Sequence, residues 1–107
     1  MGVKWAKLYS LIPNKVQIAK NRFYSIYWKK DAPSEKYLGE ADYNKNIISL
    51  IQRNSKREMT CTYLHELTHA FQEHYDMGLT EVQVQKLESA LYYILKEGNI
   101  FKKEGQE

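Results

Sequence analysis

Residues 65–69 of this chain read His65-Glu66-Leu67-Thr68-His69, and the rest of the sequence is best understood from this stretch. An α-helix turns by about 100° per residue, so side chains four positions apart lie on the same face, one turn apart. On a helix the two imidazoles are therefore close enough to share a metal ion. Glu66 projects to the side of that pair, where its carboxylate can reach a water molecule held by the metal. The pattern predicts a site of the zinc hydrolase type.

The surrounding residues predict a helix over residues 56–76. Ser55 precedes Glu58 by three positions, which is the spacing of a capping box, and no Pro or Gly follows until Gly78. Apolar residues lie opposite the histidines and are expected to face a core. They are Tyr63, Leu64, Leu67, Ala70 and Phe71. The histidine side then lines a polar cleft; two surface histidines on an amphipathic helix are the alternative.

Length and composition predict a single domain over residues 1–107, with residues 102–107 as a polar tail. The only cysteine, Cys61, excludes an internal disulfide and favours a reducing compartment. It lies one turn before His65 and either fills the core or borders the site. The first residues lack the apolar run of a signal peptide, and no stretch has the length of a membrane span. We expect a cytoplasmic protein without membrane association.

Two β-hairpins are expected before the histidine helix, because apolar and polar residues alternate in four short runs. The predicted strands comprise residues 16–19, 23–29, 37–43 and 47–51. The turn at residues 44–46 contains residue types that tolerate positive φ. Thr80 can cap a second helix that runs to about Glu97, with Gly98 as its stop. The expected fold class is α+β: a small antiparallel sheet of about four strands in two hairpins, followed by two long helices.

The second helix is expected to carry an apolar stripe along one face. The stripe comprises Val84, Leu87, Leu91, Ile94 and Leu95. Tyr92 lies on the same helix, opposite His65 if the two helices form a hairpin. Its hydroxyl either helps to stabilise an oxyanion or belongs to a core tyrosine, and the second interpretation is favoured.

A catalytic zinc ion usually takes three protein ligands, so the two histidines predict a third one. If the helices form an antiparallel hairpin about residues 77–79, equal steps from the turn place His69 opposite residues 87–89. Glu88 lies there, at the edge of the apolar stripe, and is the expected ligand. Glu81, two turns earlier on the same stripe, is the alternative.

The motif and its surroundings resemble the minimal gluzincin metallopeptidases. The resemblance rests on His65-Glu66-Leu67-Thr68-His69-Ala70-Phe71, on the small sheet expected before it and on an acidic residue in the following helix. It covers residues 37–97. Within this group the chain looks like short phage-type and mobile-element-type zinc peptidases, which are distantly similar to the ImmA/IrrE proteases. The Glu-Ala-Asn segment of the ImmA-like proteins is absent, and Leu87-Glu88-Ser89-Ala90 stands in a comparable place.

The resemblance implies a Zn²⁺-dependent endopeptidase in which His65 and His69 bind the metal and Glu66 is the catalytic general base. An acidic residue of the next helix completes the metal site. The implied partner is a peptide or protein substrate, which could lie extended along a free sheet edge. So small a domain leaves little surface for substrate recognition, which makes a regulatory protein partner a further expectation.

Charge is distributed unevenly along the chain. Up to Arg57 there are 12 Lys and Arg against 4 Asp and Glu, whereas from Glu58 onward there are 4 against 9. Aromatic and basic residues interleave over residues 21–30, as in single-stranded nucleic-acid binders, although a half-buried strand gives the same pattern. The alternative function is therefore a non-catalytic, zinc-stabilised module that contacts nucleic acid or an acidic protein through its basic half.

Overall fold

The computed structural model describes residues 10–34, 38–53 and 55–101. Its elements are β1 (Lys15–Ala19), β2 (Arg22–Lys29), β3 (Gly39–Asp42), β4 (Ile47–Ile51), α1 (Lys56–His74) and α2 (Glu81–Glu97). This order confirms the predicted α+β class. The predicted tail and Tyr37, the first residue of the predicted third strand, lie outside the described residues. Among the described residues, neither helix combines the length and apolar character that crossing a membrane requires.

The strands form one sheet in the order β1-β2-β4-β3. Both predicted hairpins are present, because β1 pairs with β2 and β3 pairs with β4 in antiparallel fashion. The hairpins meet differently from the prediction, since β2 and β4 run parallel, with Ser25 opposite Ile47. The sheet is therefore mixed rather than wholly antiparallel. The reason lies in β4, whose nearly continuous apolar run suits a central strand that is covered on both faces.

α1 packs across one face of the sheet and forms the centre of the core. The buried apolar cluster comprises Tyr24, Ile26, Ile48, Leu50, Tyr63, Leu64, Ala70 and Tyr92. The predicted core face of α1 is thus buried, although Leu67 and Phe71 are only half-buried. Buried hydroxyl groups of Thr60, Thr62 and Thr68 each donate to the carbonyl oxygen four residues earlier. The helix therefore buries polar groups without leaving their hydrogen bonds unmade.

α2 packs against α1 alone among the described elements. Thr80 caps it as predicted, in a capping box with Gln83, and the helix ends at Gly98. The predicted apolar stripe is only partly buried, with Val84 fully buried and Leu91 half-buried. The exposed members are Leu87, Ile94 and Leu95. A helix with a single described neighbour can bury only one narrow face, which is why part of the apolar stripe stays exposed.

Arg22 ties the sheet to the end of α1. Its guanidinium donates to Asn46 Oδ1 at 2.9 Å, to the Tyr43 carbonyl oxygen at 3.0 Å and to Glu73 Oε1 at 3.1 Å. Asn46 has φ 57°, so the turn predicted at residues 44–46 contains the expected positive φ. These contacts hold the turn between β3 and β4 against α1, and so position the edge strand β3 beside the histidine helix.

Candidate metal centre

α1 brings the two imidazoles of the motif together. The Nε2 atoms of His65 and His69 lie 3.2 Å apart, and the ring centroids lie 4.8 Å apart. Both rings are half-buried rather than enclosed in the core. Two imidazole nitrogens that each present a lone pair repel each other at this distance unless a proton or a cation lies between them. The helix thus aims both rings at one point, at the spacing that the sequence predicts.

Glu81, the first residue of α2, completes a triangle of donor atoms. Its Oε1 lies 2.8 Å from Nε2 of His65, and its Oε2 lies 3.2 Å from Nε2 of His69. In a tetrahedral zinc site with bonds of about 2.0–2.1 Å, neighbouring ligand atoms are about 3.3 Å apart. The three residues could therefore hold a metal ion and leave a fourth position for water. Without a metal, the same distances describe an ion pair between Glu81 and a protonated histidine.

Glu88, the ligand favoured from the sequence, contacts the other nitrogen of His65. Its Oε1 lies 2.9 Å from Nδ1, away from the Nε2 triangle. With Glu88 as the acceptor at Nδ1, Nε2 of His65 would be available to a metal ion bound between it and Glu81. Carboxylates in this position orient a ligating imidazole and raise its basicity. The geometry favours Glu81, the alternative kept open from the sequence, as the third ligand and gives Glu88 a supporting contact.

The loop between the helices explains this difference. α1 ends at His74, two residues before the predicted end, and residues 75–80 are not helical. Asp76 and Gly78 both have positive φ, at 53° and 64°. These residues do not continue the helical steps of α1, and Glu81, the first residue of α2, lies at the level of His65 and His69. Counting equal steps from the turn therefore misjudged the register of the two helices.

Glu66 lies buried beside the donor triangle. Only 8% of its surface is exposed, and it lines the same cleft as His65 and Glu81. Burial raises the pKa of its carboxyl to about 7, with further increases from Glu81 and other nearby carboxylates and an opposing effect from His65. A carboxyl group with a pKa near neutrality can both accept and return a proton.

A cleft of about 570 Å³ opens between β3, α1 and α2. One wall is the start of β3, an edge strand that is paired only with β4 within the described residues. Gly39 is needed in this wall, because a Cβ there would lie 2.8 Å from the Ser49 carbonyl oxygen and 2.9 Å from Thr62 Cγ2. Leu38 and Gly39 were not among the site residues predicted from the sequence. A glycine inside a predicted strand was the available signal of a close approach.

Tyr92 and Cys61 were each expected either in the core or at the site, and the structure places them differently. Tyr92 is buried in the core, with Arg57 and Lys96 lying 5.8 Å and 5.5 Å from its ring centroid, and it does not line the cleft. Cys61 does line the cleft. Burial raises the pKa of its thiol, and the nearby Glu88 carboxylate raises it further. The core interpretation of Tyr92 is therefore the one observed, and Cys61 borders the site.

Comparisons with known proteins found no relative of this chain. No protein-family model, curated protein or solved structure matches the chain. The function is therefore inferred from the chemistry of His65, His69, Glu81 and Glu66 themselves.

Proposed function

We propose that this protein is a zinc-dependent metallopeptidase of the minimal gluzincin type, which hydrolyses peptide bonds of a protein substrate. The observation that carries the proposal is the triangle formed by His65, His69 and Glu81, with the buried carboxyl of Glu66 beside it. Mixed imidazole and carboxylate donors suit zinc better than magnesium or calcium. When bound there, zinc supplies Lewis acidity that lowers the pKa of a coordinated water to about 7 and polarises the substrate carbonyl.

Glu66 is the general base of the proposed reaction. Its carboxylate accepts a proton from the attacking water and then returns it to the leaving amine. Glu88 acts indirectly, because its hydrogen bond to Nδ1 fixes the direction in which Nε2 of His65 presents its lone pair. The two carboxylates thus have separate tasks: Glu66 moves a proton and Glu88 positions a ligand.

The edge of β3 that pairs with no other described strand is the proposed binding platform for the substrate. An extended peptide can add to an unpaired edge through backbone hydrogen bonds, and its side chains then alternate between the two faces. β3 borders the cleft that also contains His65 and Glu66. Pairing along this strand would therefore bring a peptide carbonyl to the donor triangle.

Zinc content and turnover of matched variants test the proposal. Wild-type protein should bind one equivalent of zinc and cleave a fluorogenic peptide pool. Glu66→Gln should keep its zinc but lose activity by about 10²–10⁴-fold, because an amide cannot take the proton. Asp76→Asn, which removes an exposed carboxylate outside the cleft, is the control and should retain both properties.

Two outcomes would contradict the proposal in different ways. A protein that binds zinc but cleaves no peptide pool would have a structural metal site. A protein that binds no zinc would have an ion pair of Glu81 with a protonated histidine in place of a metal centre. Elemental analysis and peptide cleavage on the same preparations distinguish these cases.

A non-catalytic binding module is the second candidate, because the sheet face opposite α1 exposes aromatic rings. Phe23 and Tyr27 are 43% and 54% exposed, and the Lys15 Nζ lies 4.7 Å from the Phe23 ring centroid. Exposed rings beside basic groups suit single-stranded nucleic acid. The groove beside Tyr27 holds two acidic residues, Glu40 and Asp42, and two lysines, so it is not a purely basic surface and supports this interpretation only weakly. Salt-sensitive retention on an oligonucleotide column, unchanged in Glu66→Gln, would support it.

A further inference from the structure

The cleft beside the donor triangle carries a strong excess of negative charge. Its lining includes four carboxylates and, among the described residues, neither lysine nor arginine. These carboxylates belong to Glu58, Glu66, Glu81 and Glu88. Burial raises the pKa of the Glu66 carboxyl to about 7, so this group is partly protonated at neutral pH, and a divalent ion offsets two of the remaining charges. A weaker negative field therefore remains when a metal is bound. The low dielectric of the walls concentrates that field inside the cleft.

Of the other two carboxylates, Glu88 contacts Nδ1 of His65 and Glu58 lies farther from the donor triangle. Glu58 precedes His65 by two turns of α1, which is about 10 Å along the helix axis. Leu38, which directly precedes β3, and Ser89 of α2 line the cleft as well. An extended peptide covers about 10 Å with three residues. A substrate that lies along β3 therefore brings residues close to its reacting carbonyl within reach of Glu58.

The cleft also contains groups that a ligand would satisfy. Glu66 is more than nine-tenths buried, faces the cleft and has no hydrogen-bond partner within the part of the chain that the structure describes. Glu58 has only a long contact with Arg53, at 3.6 Å between Oε1 and Nε, and its side chain is 45% exposed. Ion pairs this exposed contribute little free energy, so a second cation can bind the Glu58 carboxylate at low cost.

We propose that the cleft selects peptides with a lysine or arginine side chain within about three residues of the scissile bond, and that Glu58 recognises this side chain. The cationic group forms charge-assisted hydrogen bonds to the Glu58 carboxylate. Glu88 adds to the attraction from the opposite wall, while one of its oxygens stays on His65. This inference rests on the proposed peptidase function for its scissile bond, but recognition itself can be measured without turnover.

Peptide binding to zinc-loaded Glu66→Gln protein tests the proposal directly. The probes are fluorescein-labelled decapeptide pools that carry one fixed Lys, Leu or Glu, measured by fluorescence anisotropy. We expect the Lys pool to bind about tenfold more tightly than the Glu pool, with a preference that weakens as salt is added. Adding Glu58→Gln should reduce the preference by about threefold, as for other exposed ion pairs. Adding Asp76→Asn should leave it unchanged.

Glu58→Gln is a safe variant for the fold, because the Ser55 side chain caps α1 by accepting the backbone N–H of residue 58, which glutamine also supplies. Equal binding of the Lys and Glu pools, or no binding of any pool, would overturn the inference. Cleavage by wild-type protein without a preference for basic peptides would overturn it too, while leaving the peptidase function intact. A binding preference for the Lys pool without cleavage would support the acidic recognition site and refute the peptidase.

Discussion

The two helices both supply donor atoms to the candidate site, but they are held in very different ways. In α1, every residue from Met59 to Gln72 is buried or half-buried. In α2, only Val84 and Tyr92 are buried, and Glu81 lies in the exposed first turn. The histidine pair is therefore fixed within one helix that the core encloses. The third donor depends on how a peripheral helix docks.

Because of this difference, a metal bound at the candidate site would have a structural consequence. An ion that binds His65, His69 and Glu81 links α1 to α2 at the end where α2 begins. Any ligand that binds only the folded protein stabilises it. A metal at this site would stabilise the packing of α2 against α1 in particular. Variants in α1 and α2 should therefore separate the two contributions.

The largest expected effect comes from removing a donor of α1. His69→Ala should weaken zinc affinity by at least about 100-fold, because a site with three protein ligands loses much of its binding free energy when one of them is removed. Glu81→Ala should weaken zinc affinity by only about tenfold. Water can take the place of an exposed carboxylate on the metal, and the variant no longer spends conformational entropy on ordering the Glu81 side chain. Competition with a chromogenic zinc chelator measures both. Equal losses would mean that α2 holds its donor as firmly as α1.

Core packing should show the same asymmetry in the metal-free protein. Leu64→Ala, at a buried position of α1, should lower the free energy of unfolding by about 2–5 kcal/mol. Leu87→Ala, the same substitution at an exposed position of α2, should lower it by less than about 1 kcal/mol. Urea denaturation followed by circular dichroism gives both values. A comparable loss in Leu87→Ala would show that the outer face of α2 is covered in solution.

Glu88→Gln tests whether Glu88 is itself a metal ligand or only orients His65. If Glu88 only orients His65, the variant should weaken zinc affinity by about 10–100-fold and leave a measurable one-to-one site. A complete loss of zinc, as severe as in His69→Ala, would restore Glu88 as the ligand that the sequence favoured. The same chelator competition decides between these outcomes.

The smallest expected effects concern the helix caps. Ser55→Ala and Thr80→Ala each remove a side chain that accepts a hydrogen bond at a helix start, so each should lower stability by about 1 kcal/mol. Only Thr80→Ala should also reduce zinc affinity, by a few-fold, because Glu81 follows directly. Thermal denaturation and zinc titration of both variants test this. Equal zinc affinities would show that the cap does not position Glu81.

Local signals in the sequence were enough for the elements and for the histidine pair. Capping at Ser55 and Thr80, the turn at residues 44–46 and the 3.6-residue helical period all act over a few residues. The predicted hairpins and both helices therefore appear close to their expected bounds. The proximity of His65 and His69 follows from the same period, since one helix contains both.

Tertiary structure alone decided how these elements meet. The parallel pairing of β2 with β4 depends on how one hairpin docks against the other across a loop, which no local pattern specifies. Which carboxylate faces the histidines depends on the path of residues 75–80, because this loop sets the register of α2 along α1. Glu81 lies beside Nε2 of both histidines, and Glu88 lies beside Nδ1 of His65. The helical period, a short-range property, brings His65 and His69 together on α1. The long-range packing of α2 against α1 decides which carboxylate faces them.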